Sequence, residues 1–230
     1  RSDRLYGFAH HIVETTFVAT STGVRRRFTQ PTGSVEINAK RGDASAWAGI
    51  STPWFADVPV DPMLADLSTR LDWSRRTVDL PAGRYETLMP PSTVADMMIY
   101  LGWSMDGRGA QEGRTALSAP GGGTRVGEKL TDLPLTMYSD PFALGLECAP
   151  FVHTASGSER LSVFDNGMDI GRVDWSRDGS ISELVYPRAA ATEFGVSAAV
   201  PADNLLMTGG TKDLAYMVAG TERGLLLTTL

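Results

Sequence analysis

The stretch AHHIVETTFVA at residues 9–19 sets the fold class of this chain, because Thr, Val, Ile and Phe in short alternating runs are typical of β-strands. Two turn signals, STG and PTG, divide the following sequence into further strand-like runs. The turns lie at 21–23 and 31–33, and the runs at 24–30 and 34–39. The alternation continues to residue 52. We therefore expect an antiparallel meander in the first part of the chain.

Helical spacing appears after the meander. Asp61 is a candidate N-cap, and Pro62 suits the first helical position. Apolar residues follow at the spacing of one helix face, namely Met63, Leu64, Leu67 and Leu71. The pattern predicts an amphipathic helix over 61–73.

The rest of the chain mixes short strands and helices. A second helix is predicted from Pro91 through Leu101 to about Trp103, and because it is apolar on most sides we expect it at the centre of the core. Asp165-Asn166-Gly167 is the strongest hairpin signal. Strands are predicted at 84–88, 133–138, 161–164, 181–186, 204–207 and 224–230, and helices over 187–194, ended by Gly195, and after a Thr211 cap. Together these elements indicate an α+β fold, predominantly antiparallel β-sheet with a few packed helices.

The composition restricts the chemistry open to the chain. Its net charge is −6 and it has no long basic tract, which argues against nucleic-acid binding. Cys148 is the only cysteine and His10, His11 and His153 are the only histidines, so an internal disulfide and a multi-thiolate zinc site are excluded. A lone cysteine suits a reducing compartment, and no secretory signal or membrane-length apolar stretch is visible. We expect a cytoplasmic protein without a membrane or nucleic-acid partner.

Three local patterns suggest chemistry, but each has a simpler interpretation. The adjacent His10 and His11 would point to opposite faces of a strand and so cannot converge on one metal ion. Cys148 and His153 lack a third ligand. The glycine-rich segment 121–129 lacks the Gly-Lys-Ser/Thr order of a phosphate loop. The patterns favour surface or packed histidines, a buried thiol and a flexible loop.

Five phrases of the sequence, in this order, resemble the TldD/PmbA family. They are ATSTGVRRR at 19–27, QPTG at 30–33, LPAGRYETL at 80–88, VFDNGM at 163–168 and ERGLLLT at 222–228. Members of the family are described as metallopeptidases and as modulators of DNA gyrase, with an α/β N-terminal region ahead of a largely antiparallel C-terminal region. The resemblance implies that residues 1–78 are the central meander and helix, and that 79–230 are the C-terminal domain, cut short at its last strands.

The family divides by its zinc site. The resemblance implies that TldD-type members hold zinc on a helix with the pattern His-Glu-x-x-x-His, completed by a later cysteine. The matching segment here, ADMMIYLGWS at 95–104, contains no histidine, and Cys148 falls too early in the chain to be that cysteine. The nearest acids, Asp96, Asp106 and Glu112, have no nitrogen partners close by in sequence. This departure is typical of the PmbA/TldE branch, whose members look like non-catalytic partners of a TldD-type subunit.

The resemblance therefore implies a PmbA/TldE-like subunit of a zinc metallopeptidase complex that processes or degrades peptides. In this interpretation the chain holds no catalytic residue, metal or cofactor, and zinc belongs to a TldD-type partner in a homo- or hetero-oligomer. Four residues stand at the position of the family's zinc helix, although plain core packing is their simpler interpretation: Met97, Met98, Tyr100 and Trp103. The predicted loop 105–127 supplies candidate contacts to a peptide or partner: Glu112, Arg114 and Arg125.

Two other functions stay open at this point. The chain could be a metallopeptidase in its own right, with ligands in segments outside this sequence together with His10 or His11. It could instead be a DNA-gyrase-associated modulator without a proteolytic role, although its acidic balance argues against direct contact with DNA. The metal content of the whole protein separates the non-catalytic subunit from the independent peptidase.

Overall fold

The computed structural model describes residues 3–56 and 58–228, and its architecture is the α+β fold that the sequence predicts. The backbone divides into two units. The first comprises Arg1–Thr15 and Thr29–Gly83, and the second comprises Thr16–Phe28 and Arg84–Leu230. Strands β1 (Arg4–Ala19) and β2 (Arg25–Arg41) therefore contribute residues to both units.

The first unit is a helix packed on a sheet. The sheet has the strand order β1-β2-β3, in which β3 is Ala44–Ser51 and pairs antiparallel with β2. Helix α1 (Val60–Trp73) packs on β3. The apolar face of α1 completes a core made of Ala39, Ala48, Met63, Leu67 and Leu71. The predicted meander and the helix after it are confirmed.

The predicted break at 31–33 is wrong, because β2 continues through it. Pairing between β2 and β3 begins only at Ser34, opposite Ser51, so Pro31 lies where β2 has no β3 neighbour. A proline is tolerated on such a one-sided segment of a strand. Gly33 serves a close approach rather than a turn, since a Cβ there would lie 2.7 Å from the ring of Phe55.

The second unit contains a four-stranded sheet with the order β7-β6-β5-β8. Strand β5 (Thr136–Ser139) pairs antiparallel with β6 (Val173–Arg177) and β8 (Leu206–Thr208), and β6 pairs antiparallel with β7 (Ser180–Ile181). A separate parallel pair joins β4 (Thr87–Leu88) to β9 (Leu225–Leu226). The helices of this unit are α2 (Pro91–Ser104), α3 (Gly107–Gln111), α4 (Arg188–Phe194) and α5 (Leu214–Ala219). Its largest core cluster includes Met98, Met105, Met137, Trp175, Leu184, Val185 and Tyr186.

The predicted strands of this unit are found in part. Those at 133–138 and 204–207 are present with shifted ends, while those at 84–88, 181–186 and 224–230 shrink to the two-residue strands β4, β7 and β9. The end of the last predicted strand, 229–230, lies outside the described residues. No helix within 3–56 or 58–228 is long and apolar enough to cross a membrane.

The hairpin lies at a different turn from the predicted one. Residues 161–164 are not a strand, because Val163–Asp165 forms a short 3-10 helix followed by a turn. The two-residue hairpin instead joins β6 and β7 through Asp178 and Gly179, with φ of 48° and 80°. Positive φ at both central residues is what a type I′ turn requires, and Asp-Gly is among the pairs that favour it.

Two predicted helix caps are also wrong. Helix α1 begins at Val60 after Pro59, with no side-chain cap, and Asp61 lies within its first turn. A carboxylate in the first turn still complements the helix dipole. Helix α5 is capped by Asp213 rather than Thr211, and the Asp213 side chain accepts a hydrogen bond from the backbone N–H of Tyr216. Helix α4 ends as predicted, at Gly195 in the left-handed conformation.

Candidate functional site

Helix α2 is the central element of the candidate site. The helix forms as predicted and buries Thr93, Met98 and Gly102. Its predicted place at the centre of the core is wrong, however, because Met97 is 49% exposed and Tyr100 and Trp103 are each 63% exposed. Of the four residues that the sequence analysis predicts at the position of the family's zinc helix, only Met98 packs in the core. Plain core packing therefore does not account for the other three.

The residues of α2 do not fit a zinc ion. The helix carries no histidine or cysteine, and its one carboxylate is Asp96. Among the described residues, no three His, Cys, Asp or Glu side chains come together in a way that could hold a metal ion. Asp106 follows the helix, but its Oδ2 already accepts a hydrogen bond from the Gly109 N–H at 2.9 Å. Its Oδ1 is buried without a hydrogen-bond partner in the part of the chain that the structure describes.

The histidines and the cysteine occupy separate places. His10 lies 3.1 Å, through Nδ1, from the Ser34 hydroxyl, and the ring of His11 packs edge-on against Phe55. Cys148 is buried, as expected, and burial raises the pKa of its thiol. A buried, protonated thiol is a poor nucleophile and a poor metal ligand.

The predicted loop 105–127 contains helix α3, so this prediction is wrong for its first part. The helix begins after Asp106, which caps it through the bond to Gly109. Gly107 lets the helix approach Tyr186, since a Cβ at this position would lie 2.3 Å from Tyr186 Cζ. The sequence GRGAQ has low helix propensity because of its glycines, and this concealed the helix at the level of sequence.

The three candidate contact residues of this segment are held in ion pairs. Arg114 Nη2 lies 2.7 Å from Glu112 Oε2, and this hydrogen-bonded pair lowers the pKa of the Glu112 carboxyl. Arg125 donates to the Glu128 carboxylate at 2.7 Å and to the Ala116 carbonyl at 2.9 Å. The structure thus brings Glu112 and Arg114 together and pairs Arg125 elsewhere. Their role as peptide or partner contacts stays a prediction.

A cavity of about 670 Å³ borders the exposed side of α2. Ile99, Gly102 and Trp103 supply the helix side of its wall. Arg160 lines the same cavity and donates from Nη1 to the Gly102 carbonyl at 2.8 Å. Sequence reasoning missed Arg160, because it stands in an irregular segment with no periodicity or motif around it.

Comparison with known families assigns the class of protein. The family described as PmbA/TldA metallopeptidase C-terminal domain matches residues 82–230. The chain therefore belongs to the PmbA/TldD family, which confirms the resemblance found in the sequence.

Solved structures agree on the fold. The chain is similar to TldE from Thermococcus kodakarensis, with a TM-score of 0.79 and 16% identity over 97% of this chain and 51% of that chain. It is similar to a candidate modulator of DNA gyrase from Bacteroides thetaiotaomicron, with a TM-score of 0.76 and 17% identity over 97% and 49% of the two chains. It is also similar to another candidate modulator of DNA gyrase, from Thermotoga maritima, with a TM-score of 0.78 and 15% identity over 97% of this chain and 51% of that chain. The chain thus spans about half the length of these proteins. Comparison with curated proteins finds no match.

Proposed function

We propose that this chain belongs to a PmbA/TldE-like subunit that does not catalyse hydrolysis itself and supports a zinc peptidase of the same family. The observation that supports this proposal most directly is the residue composition and exposure of helix α2. At the position where the family resemblance expects zinc ligands, α2 has no histidine or cysteine and presents Met97 and Tyr100 to solvent. A subunit that has lost its ligands and kept an apolar surface at that place is suited to contact rather than chemistry.

The exposed side of α2 has the composition of a protein-binding surface. Met97 and Tyr100 are three residues apart and so neighbour each other on the helix, and the Tyr100 ring packs edge-on against Trp103 at 5.4 Å between centroids. Aromatic residues and methionine are enriched in protein interfaces, and a cluster of exposed large apolar side chains is uncommon on a surface that stays in water. A TldD-type peptidase subunit is the partner that the family membership favours.

The sheet of the second unit provides a second feature that a peptide-processing complex needs. Strand β8 stands at one end of the strand order, so it is an edge strand. An extended peptide can add to such an edge through main-chain hydrogen bonds, and this does not require a metal. We propose that the subunit helps to hold extended peptide substrates, and that the complex works in the cytoplasm.

Co-expression of the whole protein with a family member that carries His-Glu-x-x-x-His tests the proposal. We expect a stable complex in which zinc follows the partner, and peptide hydrolysis that requires that partner. The matched control is the partner with both histidines of its zinc helix replaced by alanine, which should still form the complex but not hydrolyse peptides. Stoichiometric zinc and hydrolysis by this protein alone would overturn the proposal and favour an independent metallopeptidase.

A further inference from the structure

The cavity beside α2 has the size and lining of a site for a small organic group. Its volume of about 670 Å³ falls within the range of ligand pockets, which are mostly apolar with a few polar groups that orient the ligand. The apolar part of the wall includes Trp103, Phe151, Leu161, Pro201 and Leu205. The polar part includes Ser158, His153, Arg160, Asn204 and one acid, the exposed Asp203. The cavity lies entirely within the second unit.

Arg160 differs from three other arginines of the second unit, because among the described residues it has no carboxylate partner. Arg108, Arg114 and Arg125 each form an ion pair with a glutamate. Arg160 forms none within residues 3–56 and 58–228, and its single side-chain hydrogen bond goes to the Gly102 carbonyl. The other guanidinium nitrogens of Arg160 keep contact with solvent, and the residue lines the cavity.

A half-buried guanidinium without an ion-pair partner carries an unfavourable desolvation free energy. Burial lowers the pKa of Arg160, although Asp106 attracts its charge. Arginine remains protonated in proteins, so the charge stays and its desolvation is unfavourable unless an anion approaches. A ligand carboxylate would supply that anion, and the planar guanidinium matches a carboxylate with two parallel hydrogen bonds.

Ser158 and the segment that precedes β8 suit a peptide more than a simple acid. The Ser158 hydroxyl accepts hydrogen bonds from the N–H groups of Arg160 and Leu161 at 3.2 and 3.1 Å, which leaves its own hydrogen free to donate to a carbonyl. Asn204 and Leu205, also in the wall, directly precede the edge strand β8. Part of the cavity wall is therefore continuous in sequence with β8, the edge strand to which an extended peptide would add.

We propose that this cavity binds the C-terminal carboxylate of a peptide whose last side chain is apolar. Arg160 donates to the carboxylate, Ser158 donates to a peptide carbonyl, and Trp103 and Phe151 pack against the last side chain. The peptide source of the carboxylate rests on the proposed function, whereas the carboxylate site itself rests on the cavity and on Arg160.

Titration of the whole protein alone, without a peptidase partner, tests the proposal. Trp103 and Trp175 both line the cavity, so intrinsic fluorescence reports on its occupation, and calorimetry gives the affinity. The probes are N-acetyl-Ala-Leu as the free acid and as the C-terminal amide. We expect the acid to bind at least about tenfold more tightly than the amide, since one charge-assisted hydrogen-bond pair is worth roughly this factor.

Substitution of Arg160 gives the decisive comparison. Arg160→Met should weaken binding of the acid to the level of the amide, and Arg160→Lys should keep part of the preference. The matched control, Arg76→Met, removes an exposed arginine that has no ion pair within the described ranges, and should change nothing. The Gly102 carbonyl, which loses its bond from Arg160 in these variants, still accepts a hydrogen bond from the Met105 N–H. The variants should therefore fold, and circular dichroism checks this.

Three results would overturn the inference. These are no binding of the acid, equal binding of acid and amide, and an Arg160→Met variant that binds the acid like the wild type. Octanoate binding as tightly as the peptide acid would reject the peptide source and assign the cavity to simple apolar acids. Because no hydrolysis is measured, a negative result here leaves the zinc-complex proposal standing, and failure of that complex leaves this binding measurement valid.

Discussion

Helices α1 and α2 have the same length of 14 residues, yet they treat their apolar side chains in opposite ways. In α1, Met63, Leu67 and Leu71 are all buried, and its opposite face carries charged residues. In α2 only Met98 among the large apolar residues is buried, although the helix is the more apolar of the two and has one charged residue. The comparison shows that the apolar content of a helix does not tell how much of its apolar surface this chain buries.

The physical reason lies in how many faces are apolar. A helix with one apolar stripe is satisfied by one packing partner within its own unit, as α1 is by β3. Helix α2 is apolar on more than one face, and the core of its unit covers only the side that carries Met98. The uncovered side is then available to a ligand or another protein, which is where both proposals place their contacts.

The largest effect is expected from two adjacent methionines of α2. Met98→Ala should lower the free energy of unfolding by about 2–5 kcal/mol, because Met98 is 8% exposed and its truncation leaves a cavity. Met97→Ala, the matched control on the solvent side, should change it by less than about 0.5 kcal/mol. Urea titrations of the two variants measure this. Equal losses would show that both faces of α2 are packed and would remove the contrast with α1.

The second effect concerns the solvent side of the same helix. Replacing Met97 and Tyr100 together by serine should weaken the proposed complex with a TldD-type subunit at least about tenfold, or roughly 1.4 kcal/mol. The free energy of unfolding of the free protein should hardly change, since both side chains are exposed. The control is Phe164→Ser, which removes an exposed aromatic ring elsewhere in this unit. Unchanged affinity in the double variant, measured by calorimetry, would exclude this side of α2 from the interface.

A smaller effect separates the polar sides of the two helices. Asp66 Oδ2 lies 2.8 Å from Arg70 Nη2 one turn later in α1, and ion pairs at this helical spacing contribute about 0.3–0.5 kcal/mol. Asp66→Ala should therefore lower the free energy of unfolding by about that amount. Asp96→Ala in α2 is the counterpart, because Asp96 has no ion pair in the part of the chain that the structure describes, and it should show no such loss. The same urea titrations decide between them.

The smallest effect is a pH dependence in the first unit. Hydrogen bonds from Arg41, which also pairs with Asp72 of α1, lower the pKa of Asp3. The contribution of this pair is therefore fully present above about pH 4, the ordinary range of aspartate, and is lost as the pH falls through the lower folded-state value. Asp3→Asn should make the acid loss of stability shallower.

The control for the pH experiment is Asp43→Asn. Asp43 lies between β2 and β3 and has no ion pair within the described residues, so its replacement should leave the slope unchanged. The measurement is the unfolding midpoint in urea from pH 6 to pH 2.5. A slope that Asp43→Asn alters as much as Asp3→Asn does would contradict the assignment to the Arg41 pair.

Periodicity predicted the long elements. The strands of the meander and α1 were predictable because their patterns repeat over many residues, although the break predicted at 31–33 is wrong and β1 buries little of its length. The bounds of the two-residue strands could not be predicted, because their pairing depends on partners far away in the sequence and leaves little local signal. The pairing of Thr87 with Leu225 is an example. Asp178-Gly179 did carry a hairpin signal, but Asp165-Asn166-Gly167 carried a similar one, and only the strands on either side decide which turn forms a hairpin.

The candidate site was predictable in its chemistry but not in its geometry. The absence of histidine and cysteine from α2 can be read directly from the residue types. The exposure of Met97 and Tyr100 could not be predicted from the sequence, because a helix that is apolar on several faces gives no unique inward side. Arg160 was missed for another reason, since its unpaired charge depends on which carboxylates the fold brings near it.

The burial of Cys148 has a practical consequence for chemical labelling. It is the only cysteine among residues 1–230, it is buried, and its thiol pKa is raised, so thiol reagents should leave this part of the protein almost unmodified. A cysteine introduced on the solvent side of α2, as in Tyr100→Cys, would then be the one exposed thiol of this stretch of sequence. A crosslinker or spectroscopic label could thus be placed on that surface with Cys148 left in place.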